Sequence, residues 1–282
     1  MSPSDARARL AFAEVCGRRL QRQGRADPLP GDDPAVAAAA MCGAHAQVMS
    51  AAELSVGLRL ADVTVCSVRA ALWEHGTLVK TVGPRGTVHL LAARDLPHWL
   101  SALSALPRSR GVPEPSARLT ADQTESVVSA IADALAEAEL TLEELGSQVI
   151  DRAGAPGPVT WSCLPSRRCG HAGVRRSGLL PYFDAYAVGC HPRERLFPGA
   201  AAERALARGQ AGNRPVLLVD GVVAGVWHHR RAGRRIDITV EPLTTLTAAR
   251  RRLFDAEVER LGAILEGAVE ARVGAVTVGP HA

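Results

Sequence analysis

The sequence predicts an α+β fold for this 282-residue chain, and three observations support the prediction. Helical patterns with cap signals fill much of the first third and lead into a β-rich pair of segments around Gly83-Pro84-Arg85-Gly86. Two more capped helical patterns begin at Thr120 and Thr141. From Leu179 onward β-rich segments dominate, until a last helical pattern begins at Ala248. The predicted order is an N-terminal winged helix, a partial second helix-turn-helix and a C-terminal antiparallel β module with a closing helix.

The N-terminal winged helix is predicted over residues 1–104. Pro34 suits the first turn of a helix, Ser50-x-x-Glu53 is a capping-box pattern, and Gly43 and Gly76 are placed to end helices. The predicted elements are, in order, helices over Pro34 to Met41, Ser50 to about Arg59 and Val65 to Glu74, strands over Thr77 to Val82 and Thr87 to Ala92, and a helix over Ala93 to Leu103. Three helices followed by a hairpin is the order of a winged helix.

The middle of the chain predicts an incomplete second module between two linkers. Prolines and arginines mark residues 105–118 as a linker. Thr120-x-x-Gln123 predicts a capped helix to about Ala138, and Thr141-x-x-Glu144 predicts another to about Arg152, so residues 119–155 resemble the start of a helix-turn-helix. Residues 156–178 are rich in Arg, Cys and Gly without a period, which predicts an irregular or partly disordered segment.

Residues 179–282 are predicted to form the C-terminal β module. Asp220-Gly221 lies between two apolar runs, which is typical of a hairpin with a type I′ turn. Ala232-Gly233 predicts a second turn, and the alternation over Ile236 to Val240 predicts a half-buried strand. An amphipathic pattern from Ala248 to Leu265 predicts the closing helix.

Composition excludes some classes of protein and weakly favours others. No run approaches the roughly 18 apolar residues of a membrane span, and the N-terminus lacks the pattern of a secretion signal, so we expect a protein of the cytoplasm with reduced thiols. The net charge of +4 divides into −3 over residues 1–150 (14 basic, 17 acidic) and +7 over residues 151–282 (19 basic, 12 acidic). Such a split favours an anionic partner only weakly, because a GC-rich coding sequence also produces an arginine excess.

The segment His45-Ala46-Gln47 is the strongest candidate for chemistry. It lies between Gly43 and the predicted helix start at Ser50, where we expect extended backbone. In extended backbone the side chains at i and i+2 share one side, so His45 and Gln47 would converge while Ala46 turns toward the core. An imidazole and a carboxamide together could hold a water molecule. The alternative is that both are solvated loop residues.

Two sets of motifs resemble the AlkZ/YcaQ-like winged-helix DNA glycosylases. The first is Gly43 to Arg59 together with Gly83 to Ala93, and the second runs from Leu180-Pro-Tyr-Phe-Asp184 to Pro198, through Gly212-Asn213, and over Val216 to Pro242. The resemblance implies a protein that cleaves the N-glycosidic bond of bulky alkylated purines in double-stranded DNA without a metal or cofactor. It also implies that most of the family's middle winged-helix module is absent, from about Pro156 to Gly178.

The resemblance implies catalytic roles for two residues. The family positions its water with a Gln-aliphatic-Gln or Gln-aliphatic-Asp motif, which corresponds to His45-Ala46-Gln47. Gln47 fits that pattern, whereas His45 replaces the first glutamine. Histidine can still accept a hydrogen bond from water, and its ordinary pKa near neutrality would suit a base.

Basic residues are the candidates for DNA contact. Arg85 is at the predicted wing tip and Lys80 on the preceding strand, and four arginines crowd the turn near Gly233, where their repulsion would favour a bound anion. We expect a monomer associated with the nucleoid. The predicted DNA-binding residues are Arg59, Arg69, Lys80, Arg85, Arg230, Arg231, Arg234 and Arg235.

Several alternatives stay open at this point. Cys163, Cys169 and His171, with Cys190 and His191, could suggest zinc, but the spacing matches no paired zinc pattern and we predict no metal. His89 is expected to be a histidine at the edge of the core. The protein could also be a non-catalytic DNA-binding regulator or a shortened, inactive relative of the glycosylases.

Overall fold

The computed structural model describes residues 12–106, 119–153 and 178–281. These fall into two compact units, one containing residues 12–106 and 178–281 and the other residues 119–153. The N-terminal and C-terminal modules, which the sequence treats as separate domains, therefore belong to one unit. No helix among the described residues is long and apolar enough to cross a membrane.

The N-terminal part of the first unit contains five helices and a small sheet among its described residues. The helices are α1 (Phe12–Arg22), α2 (Pro34–Ala40), α3 (Met49–Gly57), α4 (Val65–Trp73) and α5 (Leu96–Ser104). The strands are β1 (Ala44–His45), β2 (Leu78–Val82) and β3 (Val88–Ala92), and they form an antiparallel sheet in the order β1-β3-β2. From α2 onward the order is the one that the sequence predicts for a winged helix.

One helix in this part has a capping box that the sequence analysis does not predict, and another lacks the one that it predicts. Thr64 and Ser67 form a capping box at the start of α4. The capping box predicted at Ser50 is wrong, because α3 begins one residue earlier, behind Val48, with no side-chain cap. The carboxylate of Glu53 instead binds Arg69, so it is not available to the helix start.

The second unit consists, among its described residues, of two helices. They are α6 (Ala121–Glu137) and α7 (Leu142–Ala153). Both predicted capping boxes are confirmed: Thr120 pairs with Gln123, and Thr141 exchanges hydrogen bonds with Glu144. The predicted irregular segment and the shortened middle module fall mainly on residues 154–177, which lie outside the described residues.

The C-terminal part of the first unit is a sheet with helices around it. Its elements are β4 (Gly178–Leu180), α8 (Ala185–Val188), α9 (Arg193–Leu196), α10 (Ala200–Ala205), β5 (Val216–Val219), β6 (Val222–Ala232), β7 (Arg235–Pro242), α11 (Ala248–Ile264) and β8 (Ala268–Val273). The predicted type I′ hairpin is confirmed by positive φ at Asp220 (53°) and Gly221 (82°). Pairing is antiparallel from β4 to β7 and parallel between β7 and β8, because α11 supplies the crossover that parallel strands need.

The two parts of this unit share a hydrophobic core. Leu54 of α3 and Leu58, which directly follows that helix, are buried in the same cluster as Trp227 of β6 and Phe254 of α11. One face of the C-terminal sheet therefore packs against the helices of the N-terminal part. This packing holds the β2–β3 hairpin and the segment after β4 in fixed positions around one cleft.

Candidate active site

A cleft of about 960 Å³ opens between the β2–β3 hairpin, β1 and the segment from Phe183 to Arg193. Each of these contributes side chains to its wall, and α1 adds Arg19 and Gln23. We refer to it as the His45 cleft. Of the sequence-predicted residues, His45, Arg85 and His89 line it.

Local backbone conformation places His45 in this cleft. Gly43 adopts φ +99°, which allows the chain to leave α2 and enter β1 directly. β1 pairs with β3 so that His45 lies opposite His89. Ala46 turns the other way into the core, as expected, and is 2% exposed.

Aromatic contacts hold the His45 ring on two sides. The Phe183 ring stacks on it, with centroids 4.7 Å apart and planes 28° apart. The His89 ring meets it edge-on, with centroids 5.1 Å apart. Both histidines are buried, and Nδ1 of His45 has no hydrogen-bond partner among the described residues. A buried polar atom without a partner is costly, which makes a small hydrogen-bonding molecule at this ring favourable.

Both imidazoles are neutral near physiological pH. Burial, reinforced by the positive charges of a protonated His89 and of Arg85, lowers the pKa of His45 to about 4. Burial also lowers the pKa of His89 to about 4. Nδ1 of His89 lies 2.7 Å from the Thr87 carbonyl oxygen, so this nitrogen carries the proton and donates. His45 can therefore serve as a neutral acceptor, but it is a weaker base than a histidine with its ordinary pKa.

Gln47 is placed differently from His45. The β1 strand ends at His45, and the chain turns toward α3 immediately afterwards. The Gln47 side chain is exposed and is not part of the lining of the His45 cleft. The convergence of the two side chains on one water thus stays a prediction.

The predicted wing carries one basic residue toward the cleft and one away from it. Arg85 lies in the short 3-10 turn Pro84–Gly86 with φ 61° and lines the His45 cleft. Lys80 on β2 is exposed and does not line it. A phosphate in the cleft would therefore meet Arg85, whereas Lys80 could only reach DNA outside it.

The prediction that Arg59 contacts DNA is wrong, because the residue is completely buried. Its two terminal nitrogens each lie 2.9 Å from an oxygen of Asp184, and Nη1 also donates to the Ser55 carbonyl. Burial alone would raise the pKa of the Asp184 carboxyl, but the charge and hydrogen bonds of Arg59 lower it below its ordinary value. Asp184 directly follows Phe183, so this ion pair anchors the residue that stacks on His45.

The remaining predicted DNA contacts lie outside the cleft. Arg69 is exposed, but its guanidinium forms a two-pronged ion pair with the buried Glu53. The four arginines near Gly233 are all exposed. Arg231 donates hydrogen bonds to backbone carbonyls. Arg235 forms ion pairs with Asp237 and Glu270. Arg230 and Arg234 have no side-chain partner among the described residues and could meet phosphates.

The structure adds cleft residues that sequence reasoning missed. Arg19, Phe183 and Arg193 lie far from His45 in the chain, so no spacing rule links them to it. Phe183 had a signal, since it belongs to the Leu180-Pro-Tyr-Phe-Asp184 motif. The predicted absence of a metal stays a prediction: Cys163, Cys169 and His171 lie outside the described residues, within which no group of three or more potential ligands occurs.

Comparison with known proteins points to one class of enzyme. The model of a family described as DNA glycosylase AlkZ-like matches residues 38–178 and 157–264. Among solved structures, the chain is similar to the Streptomyces sahachiroi DNA glycosylase AlkZ, with a TM-score of 0.69 and 19% sequence identity over 94% of this chain and 100% of that one. That likeness shows a shared fold. No curated protein is significantly similar to the chain.

Proposed function

The chain belongs to the AlkZ-like DNA glycosylase family, and from this premise we propose that it hydrolyses the N-glycosidic bond of a bulky N-alkylated purine in double-stranded DNA. One observation carries the proposal. The neutral His45 imidazole lines a cleft that is open to solvent, and its Nδ1 lacks a partner among the described residues. A hydrolytic water is the simplest molecule that such a group would hold.

The chemistry requires few protein groups. A purine alkylated at N7 is cationic, so it leaves with the bonding electron pair as a neutral base. As the bond from C1′ to the purine nitrogen breaks, the oxygen of the water forms a bond to C1′. His45 accepts a hydrogen bond from this water and takes up its proton, which then passes to solvent. Because the pKa of His45 is about 4, its main contribution is to orient the water.

The dimensions of the cleft support a bulky substrate. Its volume of about 960 Å³ lies at the upper end of the roughly 300–1,000 Å³ range of ligand pockets. Phe183 presents part of its ring at the wall, where a base could stack. We propose that DNA reaches this cleft along the β2–β3 hairpin, with Arg85 and Lys80 on the backbone and Gln47 at the mouth assisting the water. Arg230 and Arg234 would contact phosphates farther along the duplex.

An assay for abasic sites in a duplex containing one N7-alkylguanine tests the proposal. We expect abasic sites with the unaltered protein, and a rate lower by about 10²-fold for His45→Ala, because the hydrolytic water loses the group that orients it. Gln47→Ala should lose less, because its side chain lies outside the cleft lining. His98→Ala, an exposed histidine on α5, is the control and should keep the full rate. Equal rates for the unaltered protein and a folded His45→Ala, Gln47→Ala double variant would reject both roles.

A non-catalytic DNA-binding protein is the second candidate. The exposure of Gln47 favours it, because the residue that best fits the family's water-positioning motif does not line the cleft with His45. This candidate predicts retardation of duplex DNA that weakens as salt rises, with no abasic sites from any alkylated duplex. Absence of retardation at low salt would reject DNA binding in both proposals.

A further inference from the structure

Three guanidinium groups line the His45 cleft, and no carboxylate does so among the described residues. Arg19 comes from α1, Arg85 from the hairpin turn and Arg193 from the start of α9. Elsewhere in this unit arginines are commonly paired with acids, as in Arg69 with Glu53 and Arg204 with Glu241. The described lining of the cleft therefore carries a positive charge that no carboxylate within it offsets.

Arg19 is fixed in position but incompletely paired. Its guanidinium lies 4.4 Å from the centroid of the Tyr186 ring, and Nη2 donates to the Tyr186 carbonyl at 2.7 Å. Nη1 is buried with no partner among the described residues. A charged donor that is held rigidly, with one nitrogen unpaired, is suited to an anionic acceptor.

Arg85 and Arg193 reach the cleft from opposite elements and repel each other. Burial lowers the pKa of Arg85, and the charge of Arg193 lowers it further. Nη1 of Arg193 donates to the Ala187 carbonyl, while Arg85 donates no side-chain hydrogen bond to any described residue. Two like charges at one partly buried site destabilise it unless an anion lies with them.

We propose that Arg19, Arg85 and Arg193 form a phosphodiester-binding site that clamps the DNA backbone beside the nucleotide held at His45. The inference rests on the proposed function, and chemistry favours this anion. The three guanidiniums would repel the cationic alkylated base of the proposed substrate, so a phosphate that offsets their charge is needed in the same cleft. The fork geometry of arginine also matches two phosphate oxygens. The clamp would join the N-terminal and C-terminal parts of the unit through the substrate.

The test is binding to a duplex that cannot be cleaved. The probe is a fluorescent duplex with a tetrahydrofuran abasic analogue, prepared in versions that each replace one flanking phosphate by an uncharged methylphosphonate. With the unaltered protein, one or two adjacent replacements should weaken binding about tenfold. Arg193→Gln should weaken binding to the all-phosphate duplex about tenfold and lose the response to those same replacements. Arg85→Gln, from the hairpin side, should behave likewise.

Arg195→Gln is the matched control, since Arg195 is exposed on the same helix and does not line the cleft. It should bind every version as the unaltered protein does. The proposal is overturned if Arg193→Gln and Arg85→Gln fold and keep the full response to each methylphosphonate. It is also overturned if inorganic phosphate raises the Tm in a manner that depends on Arg193 while no replaced linkage changes DNA binding, because the site then takes a free anion.

Failure of this site and failure of the glycosylase proposal give different results. The binding test uses no reactive base, so a linkage effect without abasic-site formation supports the clamp and rejects the enzyme. Abasic-site formation without a linkage effect supports the enzyme and rejects the clamp.

Discussion

Replacing Asp184 by alanine is expected to destabilise the protein more than replacing an exposed acid. The Asp184 carboxylate is completely buried and accepts hydrogen bonds from Arg59, from the Ser55 hydroxyl and from the Tyr186 amide. Removing it leaves the Arg59 charge buried without its partner, a loss of about 3–5 kcal/mol in the free energy of unfolding. For a unit of this size, that corresponds to a fall in Tm of roughly 6–20 °C.

Thermal and urea unfolding of three variants measure this effect. Asp255→Ala is the control, because Asp255 forms only an exposed ion pair with Arg251 on α11, and it should cost less than about 1 kcal/mol. Arg59→Met combined with Asp184→Leu should recover much of the lost stability, because no buried charge remains unpaired. A loss below about 1 kcal/mol in Asp184→Ala would show that the ion pair of Arg59 and Asp184 contributes no more than an exposed one.

The same ion pair sets a direction for pH dependence. The pKa of Asp184 in the folded protein lies below its ordinary value, despite the opposing effect of burial, because Arg59 stabilises the ionised form. Its contribution to stability is therefore complete above about pH 4, the unfolded pKa, and is lost as the pH falls through the folded pKa. In Asp184→Asn, which cannot titrate, this part of the acid transition should be absent.

The two buried histidines, the turn at Gly221 and the carboxylate of Glu241 each give a measurable expectation. Since His45 and His89 have folded pKa values of about 4, their contribution to stability should be lost as the pH falls from about 6.5 to about 4. The Tm should fall across this window, and it should fall less in His45→Asn. Any glycosylase rate should stay level from about pH 8 to 6. Gly221→Ala should lower the free energy of unfolding in urea by about 1–3 kcal/mol more than Gly233→Ala. Both glycines have positive φ, but only at Gly221 would the new Cβ lie 2.9 Å from a core side chain. Equal losses in the two variants would contradict this. Glu241→Gln should speed proteinase K cleavage after residue 273, because the Glu241 carboxylate, with a pKa of about 2, accepts from the backbone amide at 276; an unchanged cleavage rate would show that this contact does not hold the C-terminal segment.

Local patterns in the sequence were enough to predict most of the regular elements. The Asp220-Gly221 turn, the capped start at Thr120 and the hairpin around Arg85 depend only on neighbouring residues, and each forms as expected. The capping box at Ser50 failed because a distant partner, Arg69, takes the Glu53 carboxylate. Strand β8 was missed because its parallel pairing with β7 follows a helical crossover, which no local turn signal marks.

The candidate site also has features that follow from neighbouring residues and features that depend on distant ones. Position alone indicated that His45 would lie on extended backbone with Ala46 facing the core, since side-chain alternation is a local property. Which charges meet is a long-range property: Arg59 is buried against Asp184, 125 residues away, and Arg19 joins Arg85 and Arg193 in one cleft. Most of the regular elements and the candidate His45 could be predicted from the sequence, because hydrogen bonding and side-chain periodicity act over a few residues. Which arginines support the core and which face the cleft could not be predicted in this way, because burial and charge pairing depend on segments that meet only when the chain is folded.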